Sequence, residues 1–183
     1  MLKRFIIGVF AAVTCAVSII TPTFRSHADS VEWDGKSEIK DGVVYTVTRE
    51  LTVNGAVTVP KNAKLHVLAD GSLKLTPKSK ITVRGDFGVF KGATVLLSGE
   101  LAVRPTGSLL VHGTLLASVS SVMNVNANMN IYADGVFKSS GVFKLYSERT
   151  LTNKGAFTLL KSGSVTVSGK IANAKNARFD VQG

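Results

Sequence analysis

The stretch that decides the fold is "ITVRGDFGVFKGATVLLSGELAVRPTG", residues 81–107. It contains apolar-x-apolar triplets that begin at Ile81, Phe87, Val95 and Leu101, so the spacing between successive starts alternates between a shorter and a longer step. In each triplet the outer two residues share one side of an extended chain, which is typical of a short strand with one buried face. The triplets therefore predict short strands separated by corners of alternating length.

The pattern continues in both directions along the chain. Triplets recur from Leu51 to Phe179, and from Ile81 onward one shorter and one longer step together give a period of 14. A column of glycines has this period, with Ala127 as its exception: Gly85, Gly99, Gly113, Gly141, Gly155, Gly169 and Gly183. A second column is small except at Arg149: Ser79, Ala93, Gly107, Ser121, Gly135, Gly163 and Ala177. Two columns in phase at one period indicate a structural repeat.

A unit this short cannot bury its own apolar face, so it must stack on its neighbours as the coils of a solenoid do. We predict an all-β, single-domain parallel β-solenoid (β-helix) with about ten 14-residue coils, each with two strands, a short x-G corner and a longer corner. A three-sided coil, with lengths that alternate between 20 and 22, fits the same steps. That coil would stack short corners on long ones, whereas the two-sided coil stacks like on like, so we expect two sides.

Asparagines surround the one gap in the glycine column. In "NVNANMN" (124–130), Asn124 and Asn130 are the outward centres of consecutive strands, and Asn126 and Asn128 flank Ala127. The corner glycines are expected to supply positive φ or close backbone approach. Because asparagine tolerates positive φ better than most residues, Asn126 and Asn128 are expected to supply the latitude that Ala127 lacks.

The segment 1–28 has the organisation of a secretory signal peptide. Lys3 and Arg4 precede an apolar run from Phe5 to Ile20, and a small-x-small site predicts cleavage between Ala28 and Asp29. The run is shorter than the ~20 residues that span a bilayer. A lipoprotein attached at Cys15 is the alternative, although Thr14 is larger than the residue that usually precedes such a cysteine.

Cleavage divides the chain into a leader (1–28), an N-terminal cap (29–50) and the solenoid (51–183), whose C-terminal coil is expected to expose its strand edges. The mature chain has 19 basic and 12 acidic residues, a formal charge of +7, and no cysteine. We expect a secreted or cell-surface protein with no membrane span after cleavage. The charge allows weak attraction to wall polysaccharide or another anionic polymer, while the absence of a clustered basic run argues against nucleic acid.

The middle residue of each triplet is expected to point outward. Most of these residues are Thr, Asn or Lys, which suit a solvated sheet. The exceptions are the large apolar residues Leu96, Leu110 and Leu116, together with Ala102. A contiguous apolar patch more often marks contact with another chain, so the three leucines are the candidate interface, with the chain itself or another cell-surface protein as partner.

In the two-sided coil the residues that flank the short-corner glycines would stack on one another. This brings together Arg84, Asp86, Glu100 and His112. Such side chains serve in acid–base catalysis on a sugar or bind a cation. A surface ion-pair ladder is the commoner use of such residues. His66 lies on a flat face, where we expect it to be exposed to solvent.

Other catalytic motifs are missing from the sequence. It contains no G-x-S-x-G, no H-E-x-x-H and no G-x-x-x-x-G-K-[ST], and no helix follows its glycines to form a phosphate cradle. We therefore expect no enzyme activity, no cofactor and no metal site.

The repeat "G-x-L-x-V" over 51–183 resembles bacterial surface β-solenoids, namely adhesin stalks, bactofilin-like solenoids and pectate-lyase-like β-helices. The resemblance implies architecture alone, and no functional residue is carried over. The expected function is that of a secreted, non-enzymatic structural or adhesive solenoid of the bacterial surface or matrix that self-assembles end to end. The alternative is a carbohydrate-binding or carbohydrate-active module that uses the Arg84 corner.

Overall fold

A computed structural model describes residues 31–33 and 39–182, which are all-β, contain no helix and form three parallel sheets. The first sheet contains β1 (Val31–Trp33), β3 (Glu50–Val53), β6 (Ser72–Leu75), β9 (Thr94–Leu97), β12 (Thr114–Ala117), β15 (Val136–Ser139), β18 (Ala156–Leu159) and β21 (Arg178–Val181). The second contains β2 (Val44–Val47), β5 (Lys64–Val67), β8 (Asp86–Val89), β11 (Ser108–Val111), β14 (Met129–Ile131), β17 (Thr150–Asn153) and β20 (Lys170–Asn173). The third contains β4 (Ala56–Val59), β7 (Lys80–Val83), β10 (Glu100–Val103), β13 (Val122–Val125), β16 (Val142–Leu145) and β19 (Ser164–Val167).

The coil has three sides, so the prediction of ten two-sided 14-residue coils was wrong. From β2 to β18 each strand pairs with the third strand after it along the chain: Ile81 pairs with Leu101, and Leu101 pairs with Met123. These separations are the ones that the three-sided coil requires. The solenoid has about six turns. At ~4.8 Å per turn the rod is roughly 30 Å long, shorter and thicker than a ten-coil rod.

Short corners stack on long corners, the arrangement that the sequence alone had seemed to disfavour. The N–H groups of Arg84 and Asp86, on either side of Gly85, donate to the carbonyls of Val59 and Ala63 at 2.8 and 3.1 Å, and so straddle the long corner 60–63. From the corner 76–79 onward the corner lengths alternate along the chain, and because a turn has three corners, successive turns then place opposite lengths on the same edge. In the first turns two long corners, 68–71 and 90–93, stack on each other instead. The period of 14 therefore belongs to the sequence pattern and not to the coil.

Close backbone approach explains the glycine column. A Cβ at Gly99 would overlap the carbonyl oxygens of Thr76 and Ser79, which belong to the long corner beneath it. Among the described glycines, positive φ occurs only at Gly42 and Gly92, and neither lies in the column. The two columns pack directly on each other, since Gly99 contacts Ser79 and Gly141 contacts Ser121.

The core is a continuous apolar column inside the three sheets. The inward residues of the central turns are nearly all fully buried, and Phe137, Phe143 and Phe157 form an aromatic cluster with ring centroids 5.0–5.6 Å apart. Two fully buried inward strand residues are polar, Ser139 and Asn153. The Nδ2 of Asn153 donates to Asn173 Oδ1 at 2.7 Å and to Arg178 O at 2.8 Å. Those bonds offset the cost of burying its amide.

The expected role of the asparagines around Ala127 was also wrong in its mechanism. Within 31–33 and 39–182, the non-glycine residues with positive φ are Asp70 and Glu148, so neither Asn126 nor Asn128 adopts that conformation. Their side chains instead accept hydrogen bonds from the next turn, from Arg149 in its long corner and from Thr150, the first residue of β17. The asparagines compensate for the missing glycine through their amides.

Residues before the solenoid are described in part. In the predicted cap, β1 pairs with β3, while Ile39 and Val47 are buried in the core at 4% and 6% exposure. The leader 1–28 and the predicted cleavage site between Ala28 and Asp29 lie outside the described residues.

Candidate functional site

The structure does not bring together the four residues of the candidate ligand corner. Arg84 and Asp86 lie where β7 turns into β8, and Glu100 lies where β9 turns into β10. His112 lies where β11 turns into β12. These are three different edges of the three-sided coil, because successive short corners fall on successive edges.

The two carboxylates of that set form contacts along the sheets. Asp86 accepts a hydrogen bond from Ser108 Oγ at 2.7 Å, and its carboxylate lies 3.6 Å from Lys64 Nζ. It therefore contacts a residue on each of the two strands that flank β8. Glu100 lies 3.0 Å from Lys80 Nζ. Each pair is partly exposed, where an ion pair contributes little to stability. These contacts are those of a surface ion-pair ladder.

His112 belongs to an aromatic column along its edge, which the sequence did not reveal. Its ring stacks on Tyr132 with centroids 3.7 Å apart and on Phe90 at 5.9 Å, and Phe90 contacts His66 edge-on at 4.9 Å. Asp134 Oδ1 lies 3.7 Å from His112 Nδ1. The His112 ring is therefore stacked between two other rings.

His66 is only partly exposed, which corrects the expectation of a solvated side chain. Its neighbour in the sheet is Gly88, where a Cβ would lie 2.8 Å from the Phe90 ring and 3.2 Å from the His66 ring. Gly88 thus leaves a recess in which the two rings meet. Burial lowers the pKa of His66 below its ordinary value, and the charge of Lys64 lowers it further against an opposing effect of Asp86.

The three leucines of the candidate interface divide between two faces. Leu96 and Leu116 pair as neighbours on the outward face of the first sheet. Leu110 is on the second sheet, where its neighbours are Gly88 and Asn130. Ala102 is buried on the third sheet.

Leu96 and Leu116 line a shallow groove of about 470 Å³ with Lys138 and Leu160. Its serine-lined wall is ordered by hydrogen bonds, as Ser118 Oγ donates to Ser98 Oγ at 3.2 Å and Ser120 Oγ donates to Ser98 O at 2.9 Å. Leu160 was missed because it is the first residue of a long corner, a position outside the triplets from which the outward residues were read.

The exposed apolar side chains of the last turn form a second surface. Val167, Phe179 and Val181 are 40%, 39% and 49% exposed. They occupy inward positions of β19 and β21, and their partners one turn earlier are buried. We call these three residues the end surface.

Two classes of site are not found in the described part of the chain. Residues 31–33 and 39–182 contain no group of three or more His, Cys, Asp or Glu side chains placed to hold a metal ion. The same residues include no helix that is long and apolar enough to cross a membrane.

Comparison with protein-family models, with curated proteins and with solved structures gave no match.

Proposed function

We propose that the mature chain is a secreted, non-enzymatic structural rod of the bacterial surface or matrix, and that copies assemble end to end. The geometry that supports this is a continuous hydrogen-bonded stack with a solid core, whose last described turn leaves interior positions open. The rod would carry load through its parallel ladders and present its Thr, Asn and Lys faces to the surroundings.

The single observation that carries the proposal is the contrast between the end surface and the turn beneath it. Phe179 is 39% exposed, whereas its partner Phe157 is fully buried, and Val181 is 49% exposed above Leu159 at 4%. Fully burying a side chain of this kind contributes about 1.5–3 kcal/mol. Covering the exposed fractions would recover part of that energy.

Unpaired strand edges of the backbone lie at the same surface. Among the described strands, β19, β20 and β21 are the last in their sheets, so each has one paired edge and one edge facing away from the stack. Such edges accept strands from another chain. Apolar contact and strand pairing therefore favour the same partner surface, the end of another solenoid.

Sedimentation velocity and negative-stain electron microscopy of the mature chain test the assembly. We expect species that lengthen with concentration, and Val181→Lys should shift them to monomer because it places a charge in the end surface. Thr166→Lys is the matched control, since it adds the same charge on the outward side of the last turn. A wild-type chain that stays monomeric at high concentration, or a Val181→Lys variant that assembles like wild type, would overturn the proposal.

Secretion has its own test. We expect the protein recovered from the culture fluid or the wall fraction of a bacterial host to begin at Asp29, as read by N-terminal sequencing. Ala28→Lys should slow processing, because the small residue at the cleavage site is lost. Retention of the unprocessed chain inside the cell would contradict secretion.

A further inference from the structure

An apolar strip on the outward side of the first sheet ends at a lysine. Leu96 and Leu116 are neighbours across β9 and β12, and Lys138 follows Leu116 on β15. These three side chains and Leu160 line the groove of about 470 Å³. A volume of this size is typical of small-molecule sites, and the step from Leu96 to Lys138 crosses two turns, roughly 10 Å.

Lys138 carries a positive charge that no described carboxylate offsets. Its side chain is exposed and forms no ion pair within residues 31–33 and 39–182. The other charged side chains described on this face are paired, Lys74 with Glu50 at 3.3 Å and Arg178 with Asp180 at 3.1 Å. The charge at the end of the apolar strip therefore favours an anionic group from outside the chain.

The serine hydroxyls beside the groove differ in what they bond. Ser118 Oγ donates to Ser98 Oγ at 3.2 Å, and Ser120 Oγ donates to Ser98 O at 2.9 Å. Ser140 comes two residues after Lys138, on the same side of the extended chain, and its Oγ has no hydrogen-bond partner in the described chain. Lys138 and Ser140 thus place two unused donors side by side where the apolar strip ends.

A second copy of the chain is a poorer occupant of the groove than a small amphiphile. Along the outward column the order is Lys74, Leu96, Leu116 and Lys138. A two-fold pairing of this face, centred between the two leucines, would set the Lys138 of one copy against the Lys74 of the other, and like charges at a contact oppose it. The groove is also narrow, with leucines beside a column of serines, and so suits a single alkyl chain.

We propose that this groove binds a fatty acid, with its alkyl chain along Leu96 and Leu116 and its carboxylate between Lys138 Nζ and Ser140 Oγ. The lysine supplies a charge-assisted hydrogen bond, and the leucines remove part of the alkyl chain from water. The site lies on the flank of the rod and shares no residue with the end surface, so it goes beyond the proposed structural function and does not depend on assembly.

Equilibrium dialysis of radiolabelled decanoate against the mature chain, below the micelle-forming concentration, tests the charged end of the site. We expect saturable binding to the wild type. Lys138→Glu should weaken that binding about fivefold or more, because a repulsive charge replaces an attractive one. The same variant should prefer decyltrimethylammonium, which has an alkyl chain of the same length and the opposite charge. Lys144→Glu is the matched control, an exposed outward lysine on β16 with no ion pair in the described residues, and it should stay within about twofold of wild type.

A second pair of variants tests the apolar part of the groove. Leu116→Thr should weaken decanoate binding about fivefold, because apolar contact with the alkyl chain is lost. Leu110→Thr, on the second sheet and outside the groove, should leave it unchanged. Both substitutions place threonine, a common outward residue of this solenoid, at a half-buried outward position, and circular dichroism checks that each variant keeps the wild-type fold.

The absence of saturable decanoate binding would overturn the proposal. Equal losses from Lys138→Glu and Lys144→Glu, or from Leu116→Thr and Leu110→Thr, would overturn it too. Binding to anionic phospholipid vesicles without binding of monomeric decanoate would assign the face to a lipid surface and contradict a fatty-acid site. Because dialysis reads this site and sedimentation reads assembly, its failure would leave the end-to-end proposal standing.

Discussion

The side chain of Asn128 replaces a backbone acceptor in the ladder of the solenoid: its Oδ1 accepts the N–H of Thr150 at 3.0 Å. At equivalent corners a glycine carbonyl has this role, as when Gly99 O accepts from Val122 N at 3.1 Å and Gly113 O from Val136 N at 2.8 Å. Beside it, Arg149 Nε donates to Asn126 Oδ1 at 3.2 Å. The exceptions in the two sequence columns, Ala127 and Arg149, are therefore stacked at one edge and compensated by adjacent hydrogen bonds.

Asn128→Ala should lower the free energy of unfolding by about 1 kcal/mol, because the Thr150 N–H loses its acceptor at a partly exposed corner. The measurement is a urea titration at a concentration low enough to keep the chain monomeric. Asn124→Ala is the matched control, an outward position on β13 where we expect a change within about 0.5 kcal/mol. Equal effects of the two substitutions would contradict the replacement of a backbone acceptor.

Gly99→Ala and Gly42→Ala separate the two uses of glycine. At Gly99 a Cβ would overlap the carbonyl oxygens of Thr76 and Ser79, and we expect a loss of about 3 kcal/mol or more. Gly42 has open space around it but a φ of +73°, so alanine there should cost only about 1–2 kcal/mol. A loss at Gly99 no larger than the loss at Gly42 would contradict close backbone approach as the reason for the glycine column.

Phe157→Ala should cost about 3–5 kcal/mol, because the residue is fully buried and contacts Phe137, Phe143 and Phe179. Phe179→Ala should cost less than half as much in the monomer, since Phe179 is 39% exposed. Urea titration measures both values. If Phe179 lies at the junction between copies, Phe179→Ala should weaken assembly more than Phe157→Ala does. Assembly that is unchanged by Phe179→Ala would exclude Phe179 from the contact.

Acidification should weaken the fold through His66, whose pKa is lowered by burial against Phe90 and by Lys64, with Asp86 opposing. Between the lowered pKa and the ordinary value of 6.5, the unfolded chain binds more protons than the folded chain. Stability from this group is therefore complete above pH 6.5 and declines as the pH falls through that window. His66→Gln should reduce the difference between urea midpoints measured at pH 7 and pH 5, and an unchanged difference would rule His66 out as its source.

The alternation of apolar residues determined much of this fold without tertiary information. Leu65, Ile81 and Phe137 were read as inward from local spacing, and all three are essentially fully buried. The prediction succeeded because an extended chain presents every second residue to the same side, a property of each strand by itself. The positions of the strands were recoverable for the same reason.

The number of sides was decided only by the tertiary structure. The alternating short and long steps between triplets are satisfied by either two or three strands per turn, and the choice depends on which corner lies on which. Gly85 packs against Pro60 and Ala63 because a glycine corner fits between the carbonyls of a long corner, a contact between segments that are far apart in the sequence. That contact sets three sides, separates Asp86, Glu100 and His112 onto different edges, and places Leu96 beside Leu116 but not Leu110.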